Sequence, residues 1–211
     1  MRGFILSIFF AFAIAGIAVL AARTPQCEQA APPSAHETHG SAPPQALILQ
    51  EADGERRIRR PGTPNPAWPF TIKVDGQNGN AQDFYVVTEI MSPGQTIRFH
   101  KHDNAEEILI LEEGGATVTV GDKRAVAGPR SIVFIPRDTW ISVTNGGTQP
   151  IHLCAIFSRQ GYDRYMRAIS AREGQPMTPL NPEELPRLRA DGHSTYWDTS
   201  KGAYPPGVPH P

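Results

Sequence analysis

The sequence GQTIRFHKHDNAEEILILEEG, residues 94–114, decides most of what can be said about the fold and chemistry of the chain. Its apolar and β-branched residues favour two short strands separated by a turn. Side chains two residues apart on a strand face the same side, so His100 and His102 project together. After the turn, Glu107 shares a face with Leu109. Two imidazoles and one carboxylate in apolar surroundings form a set of metal ligands that leaves positions open for water or substrate. The alternative is a pair of exposed histidines on an edge strand.

Length and composition limit the classes of protein that remain. The chain has 211 residues, 39% of them hydrophobic and 19% charged, which suits one domain with tails. Its formal net charge of −1 gives no field that attracts nucleic acid, so we predict no nucleic-acid partner. The 19 glycines and 21 prolines argue against a helical bundle or a coiled coil and favour short strands, turns and loose tails.

The N-terminus has the pattern of an export signal. An arginine at position 2 precedes an apolar run over residues 4–22, and a polar stretch follows it. We predict a secretory signal over residues 1–22, and therefore a periplasmic or secreted protein. Because the apolar run approaches the length that spans a bilayer, an uncleaved membrane anchor is the alternative. Residues 23–45 are rich in Pro, Ala and small polar residues without periodicity, which predicts a disordered linker.

Export changes the interpretation of the two cysteines. In an oxidising compartment, Cys27 and Cys154 can form one disulfide. The alternative is that Cys154, in an apolar run, is a buried small hydrophobic residue, while Cys27, in the linker, is an exposed thiol.

Residues 46–158 have the pattern of an all-β domain. Short apolar or β-branched runs alternate with turn residues, which predicts an antiparallel sandwich or barrel. The basic run over residues 55–60 precedes a proline-rich stretch, so we expect it at a solvated edge. The predicted strands are 46–49, 70–74, 84–91, 96–100, 108–111, 116–120, 131–135, 141–144 and 151–157.

Residues 159–211 predict a small helical appendage with an extended tail. Apolar residues recur at helical spacing over 161–171. A second short helix is predicted over 182–190, with Asn181 as its N-cap and Pro182 at its first position. The tail that follows carries aromatic residues that we expect to pack onto the barrel or onto a neighbouring subunit.

The histidine stretch resembles the first sequence motif of the cupins. In that motif, Gly is followed after five residues by His-x-His, after three or four more by Glu, and after six more by Gly. Glu106 fits the shorter spacing but has no glycine at the right distance, so Glu107 is the preferred ligand. The resemblance covers about residues 84–158 and implies a cupin fold, a double-stranded β-helix or jelly-roll barrel. The matching residues are Gly94, His100, His102, Glu107 and Gly114.

The second cupin motif is present only in part. It consists of Gly, five residues, Pro-x-Gly, two residues, His, three residues and Asn. The chain keeps Pro136 and Asn145, but Arg130 and Asp138 occupy the glycine positions and Ile141 occupies the histidine position. In cupins with the full motif, that histidine is the fourth protein ligand of the metal. The remaining ligands resemble the 2-His-1-carboxylate triad of non-haem iron enzymes and can hold one divalent Fe, Mn, Ni, Cu or Zn ion.

Other residues are candidates for the same pocket. Arg98 lies two residues before the first ligand histidine, so it is expected at the barrel mouth, where it can pair with Glu106 or bind a carboxylate or enolate. The alternative is that a twist or bulge turns Arg98 outward. Phe99 and Trp140 can line the entrance or belong to the core. His152, on a later strand, is an outside candidate for a replacement ligand, although its facing is open.

The resemblance implies two functions of different classes. The first is an exported, metal-dependent oxidoreductase similar to quercetin-type dioxygenases, acting on a small enol, phenolic or carboxylate compound. Its catalytic residues would be Glu107, Glu106 and Arg98, with one of the glutamates moving a proton. The alternative is a non-catalytic module that binds a small ligand and has a degenerate metal site. A sugar isomerase or epimerase would need more polar pocket residues. Because cupins commonly dimerise and both ends are long, we also predict a homodimer.

Overall fold

The structure of the protein, a computed structural model, describes residues 43–210. The predicted signal or anchor over residues 1–22, most of the predicted linker and any disulfide through Cys27 therefore lie outside the described residues. Within 43–210, no helix is both long and apolar enough to cross a membrane. Cys154 is half-buried and forms no disulfide with another residue of this part of the chain.

Antiparallel strands arranged in two sheets form most of residues 43–210. The larger sheet has the strand order β11-β1-β2-β3-β10-β5-β8, and the smaller has the order β12-β4-β9-β6-β7. The strands are β1 Glu55–Arg59, β2 Pro69–Val74, β3 Tyr85–Met91, β4 Thr96–His102, β5 Glu107–Glu113, β6 Ala116–Val120, β7 Lys123–Ala127, β8 Ile132–Ile135, β9 Ile141–Thr144, β10 Ile151–Phe157, β11 Ser170–Arg172 and β12 Ser194–Tyr196. Two α-helices, α1 Tyr162–Ala168 and α2 Leu185–Asp191, follow the tenth strand, and 3₁₀ turns cover Pro182–Glu184 and Thr199–Lys201. The all-β prediction is confirmed.

The core lies between the two sheets and continues under the C-terminal helices. One cluster of buried side chains joins strands of both sheets, including Leu111, Val143 and Leu153. A second cluster packs helix α1 against the larger sheet and includes Tyr165 and Met166. At about 1.5–3 kcal/mol for each large apolar side chain that is fully buried, both clusters stabilise the barrel strongly. The metal-ligand candidates lie near the second cluster, at the end of the barrel that α1 covers.

The start of the domain differs from the prediction in two places. The predicted strand 46–49 is wrong: this segment is irregular, and Ile48 in it is fully exposed at 92%. The basic run predicted at a solvated edge instead forms β1, where Arg57 and Arg59 are buried. Arg57 pairs with Glu55 on the same strand and its Nε also donates to Ser170 Oγ at 2.7 Å, whereas Arg59 pairs with a glutamate of β3.

The four positions that correspond to cupin-motif glycines share one backbone conformation. Gly94 and Gly114 have φ of 79° and 74°, and Arg130 and Asp138, which replace the other two glycines, have φ of 64° and 57°. This left-handed region is unfavourable for side chains with a Cβ atom, although Asp tolerates it better than Arg. Arg130 and Asp138 therefore adopt the backbone conformation that favours glycine.

The C-terminal segment folds onto the barrel of its own chain. Helix α1 ends at Ala168 and the chain continues as β11, which pairs with β1. The predicted cap of the second helical segment is present, since Asn181 Oδ1 accepts a hydrogen bond from the Glu183 N–H at 3.1 Å. Strand β12 then adds to the edge of the smaller sheet by pairing with β4. These strands complete the cover over one end of the barrel.

Candidate metal centre

The three predicted ligands meet inside the barrel. His100 and His102 lie on β4, two residues apart, and Glu107 is the first residue of β5. Their side-chain donor atoms all lie within 4.8 Å of one another. His102 Nε2 is 3.8 Å from Glu107 Oε2. All three residues are buried, with exposures of 4%, 3% and 6%. A pair of exposed edge histidines, the alternative interpretation of the motif, is therefore wrong.

The hydrogen bonds of the three side chains leave lone pairs that point to no protein donor. The Nδ1–H of His100 donates to the Arg98 carbonyl at 2.9 Å, which fixes the tautomer and leaves Nε2 free to bind. Both ring nitrogens of His102 and Oε2 of Glu107 are buried and have no hydrogen-bond partner among the described residues. Unpaired buried polar atoms are costly, and His102 Nε2 and Glu107 Oε2, which lie close together, fit the coordination of a cation.

Burial shifts the pKa of all three groups in the direction that disfavours charge. Burial lowers the pKa of His100 to about 4, and it lowers the pKa of His102 well below the usual value, with His100 adding to the effect. Burial, with a smaller contribution from the charge of Glu89, raises the pKa of Glu107 to about 8. Both imidazoles are therefore neutral at pH 7, the form that binds metals. A cation at this point would restore the ionised carboxylate.

A small cavity adjoins the ligands. Its apolar wall comes from both sheets and includes Leu109, Ile141 and Val143, and its polar wall includes Arg59 and Glu89. The centres of water-sized molecules can occupy a volume of about 50 Å³ in it. This space holds a few waters or one small molecule.

Two tyrosines of the C-terminal segment cover the cavity, and sequence reasoning did not place them there. Tyr196 on β12 stacks on the His100 ring at a centroid distance of 5.2 Å, and Tyr162 at the start of α1 meets the His102 ring edge-on at 4.4 Å. Their hydroxyl oxygens are 2.8 Å apart and share a hydrogen bond. These rings keep bulk water away from the ligands.

Comparison with known proteins identifies the barrel. Residues 87–157 match the family model described as Cupin domain. This part of the chain is a cupin domain. None of the curated proteins matches the chain significantly.

Solved structures with a similar barrel have low sequence identity to this cupin. A predicted oxalate decarboxylase from Thermotoga maritima has 14% identity and a TM-score of 0.47, covering 54% of this chain and 99% of its own. An uncharacterized conserved protein with a double-stranded beta-helix domain from Klebsiella pneumoniae has 18% identity and a TM-score of 0.39, covering 53% and 83%. At these values the likeness assigns no activity.

The position at which the full second cupin motif has its metal-binding histidine lies opposite His100, and here it holds an apolar side chain. Ile141 on β9 is paired with His100 on β4, lines the cavity and is 1% exposed. His152, the outside candidate for a replacement, does not supply the missing ligand. It lies on β10 next to the cavity-lining Leu153, and its Nε2 is 3.9 Å from Oε2 of Glu113 on the other face of the sheet. Within residues 43–210, the cluster of potential ligands therefore has three members.

The other predicted pocket residues divide between the cavity and the outer surface. Arg98 lines the cavity but is exposed, because a β-bulge interrupts the pairing of β4 with β9 beside it. Glu106 is exposed and lies outside the cavity lining, since it precedes the strand by one residue and faces away from Glu107. Phe99 and Trp140 pack against aromatic rings of the C-terminal tail instead of lining the entrance.

Proposed function

We propose that this cupin binds one divalent transition metal through His100, His102 and Glu107, and that it is a dioxygenase-like oxidoreductase acting on a small enol, phenolic or carboxylate compound. The observation that carries the proposal is the convergence of three buried donor groups with unpaired lone pairs. Two imidazoles and one carboxylate suit Fe, Mn, Ni, Cu or Zn, and they leave coordination positions for substrate.

The residues of the chain would prepare the site in three ways. The Arg98 carbonyl holds His100 in the tautomer whose Nε2 can bind. Tyr162 and Tyr196 exclude bulk water, which strengthens every electrostatic interaction inside the cavity. Ile141 keeps the face opposite His100 dry and leaves that side without a protein ligand. A bound cation of this type would polarise a substrate oxygen and lower its pKa.

Proton transfer needs a group other than Glu106. Glu106 is exposed outside the cavity, so the catalytic role predicted for it has no structural support. Glu107 is one of the three ligand candidates, and a carboxylate that binds a cation is a weak base. Arg98 stays a candidate at the cavity rim, where a guanidinium can bind an anionic substrate group.

The proposal is tested by oxygen consumption of the purified protein reconstituted separately with each of the five metals. Enol, phenolic and carboxylate compounds serve as trial substrates, and Glu107→Gln provides the variant without the carboxylate ligand. His152→Ala is the matched control, because it removes a strand histidine outside the cavity. We expect turnover in the parent and the control and none in Glu107→Gln. A metal-loaded parent that binds these compounds without consuming oxygen or changing them would instead support the binding module, the alternative favoured by the apolar side chain of Ile141.

Export and a homodimer also stay predictions. Export depends on residues 1–22, and comparison of protein from the periplasmic and membrane fractions tests it.

An exposed apolar surface on the larger sheet supports the homodimer: Ile108 and Phe134 are neighbours on paired strands, and Ile132 lies two residues before Phe134. Light scattering that gives the mass of one chain would contradict it.

A further inference from the structure

A buried ion pair lies in the wall of the candidate metal cavity. Arg59 on β1 and Glu89 on β3 both line the cavity, and Arg59 Nη2 lies 3.1 Å from each carboxylate oxygen of Glu89. The side chains are only 10% and 12% exposed. Charged groups taken out of water need a partner, and this pair provides it. Glu89 nevertheless accepts hydrogen bonds from only one nitrogen of the Arg59 guanidinium.

Arg59 has hydrogen-bond donors that nothing in the described chain accepts. Its bonds within residues 43–210 all start from Nη2, and its Nε is buried without a partner. The guanidinium lies over the Trp68 ring at 4.7 Å, which holds the group in place without using its N–H groups. A fixed cation with spare donors beside a cavity is suited to binding an anion.

The charges around the cavity favour an anionic ligand. Three charged side chains around the cavity are largely buried, Glu89, Glu107 and Arg59, whereas Arg98 is exposed and its charge is screened by water. A divalent cation bound at the three ligand residues would therefore leave one buried positive charge in excess. Burial makes this excess costly unless an anion offsets it. The ligand that completes the site is therefore negatively charged.

The cavity also limits the size of the ligand. The volume of about 50 Å³ that the centres of water-sized molecules can occupy suits a few waters or one small molecule. A flavonoid or another polycyclic phenol exceeds this space unless the covering tyrosines move. A short acid fits without such a movement.

We propose that the substrate is a short carboxylate of about two to four carbons, whose carboxylate group binds Arg59 while a second oxygen faces His100, His102 and Glu107. This inference rests on the metal-dependent function proposed above and narrows its substrate class. Glu89 positions the guanidinium and competes with the substrate for it.

Calorimetric titration of the Mn²⁺-loaded protein tests this assignment, with pyruvate and malonate as probes and acetamide and catechol as uncharged comparisons. Glu89→Gln removes the competing carboxylate, so we expect both acids to bind more tightly. The double variant Arg59→Gln/Glu89→Gln removes both charges and avoids an unpaired buried ion, and we expect affinity for the acids to fall about 10- to 100-fold relative to Glu89→Gln. Arg56→Gln is the matched control, because Arg56 lies on the same strand but is exposed and pairs with Glu173.

The outcomes separate the two proposals. Metal content is measured in the same samples, and thermal unfolding shows whether each variant is folded. A loaded protein whose affinity for the acids does not rise in Glu89→Gln or does not fall in the double variant relative to it, or that prefers catechol to the acids, overturns the assignment of Arg59 and leaves the metal site standing. A parent protein that takes up no metal overturns both. If the double variant does not fold, the single variant still decides, because weaker or equal binding of the acids by Glu89→Gln contradicts the assignment.

Discussion

In the metal-free protein, Glu107 should make stability fall as the pH rises. Burial raises the pKa of this carboxyl from 4.5 to about 8, so the folded state retains its proton over a range in which the unfolded state releases it. The stabilisation that the folded state gains from the protonated Glu107 carboxyl is therefore fully present below pH 4.5 and is lost as the pH rises through 8. Glu107→Gln keeps the shape of the side chain and removes the titration.

The size of the effect follows from the difference between the two pKa values. Each pKa unit corresponds to about 1.4 kcal/mol, so the full range between them is worth about 5 kcal/mol. Between pH 5 and pH 8, the free energy of unfolding of the parent should fall by about 3 to 4 kcal/mol relative to Glu107→Gln. The histidines His100 and His102, whose pKa values are lowered by burial, titrate in both proteins and cancel in the comparison.

Urea denaturation of chelator-treated parent and variant at several pH values measures this difference. Addition of a divalent metal to the parent at pH 8 should restore the lost stability, because binding to the folded state alone stabilises it. Parallel pH profiles for the parent and Glu107→Gln would refute the argument, since they would mean that the Glu107 carboxyl is ionised in the folded protein without a cation.

Three further substitutions have definite expected results. Ile141→His should strengthen metal binding roughly tenfold or more in a competition with a chelator, because it supplies a ligand at the position that faces the first histidine. Arg130→Gly should raise the free energy of unfolding by about 0.5–1 kcal/mol in thermal denaturation, because φ of 64° strains any residue with a Cβ atom. Asn145→Ala should lower it by about 3 kcal/mol, because this fully buried amide donates to the carbonyls of Met91 and Gln149. An unchanged metal affinity would contradict the prediction for Ile141→His, and a lower free energy of unfolding would contradict the prediction for Arg130→Gly. A loss of less than about 1 kcal/mol would contradict the prediction for Asn145→Ala.

The spacing of residues made the three ligand candidates predictable. Strand periodicity places His100 and His102 on one face, and the glycine that follows Glu107 at the motif distance distinguishes it from Glu106. The structure brings these three residues together and places Glu106 outside the cavity. Side chains on a strand alternate between its two faces, so the residues that share a face can be predicted from local spacing without knowledge of distant contacts.

The covering residues and the ion pair depend on distant contacts and were not predictable in the same way. Tyr196 reaches His100 only because β12 pairs with β4, across more than ninety residues of sequence. Arg59 is buried only because Glu89 and Trp68 are folded against it. The alternation of Arg57 and Arg59 does carry a strand signal, but charged residues in such a pattern favour a solvated surface unless their partners are known.

Metal content, measured by mass spectrometry on the purified protein, tests the central claim most directly. The parent and His152→Ala should each contain close to one equivalent of a transition metal, and His100→Ala/His102→Ala should contain none. All three proteins must have the same circular dichroism spectrum for the comparison to stand. A parent protein without metal, even after incubation with Fe²⁺, Mn²⁺, Ni²⁺, Cu²⁺ and Zn²⁺, would contradict the account and show that the site was lost with the fourth ligand at Ile141.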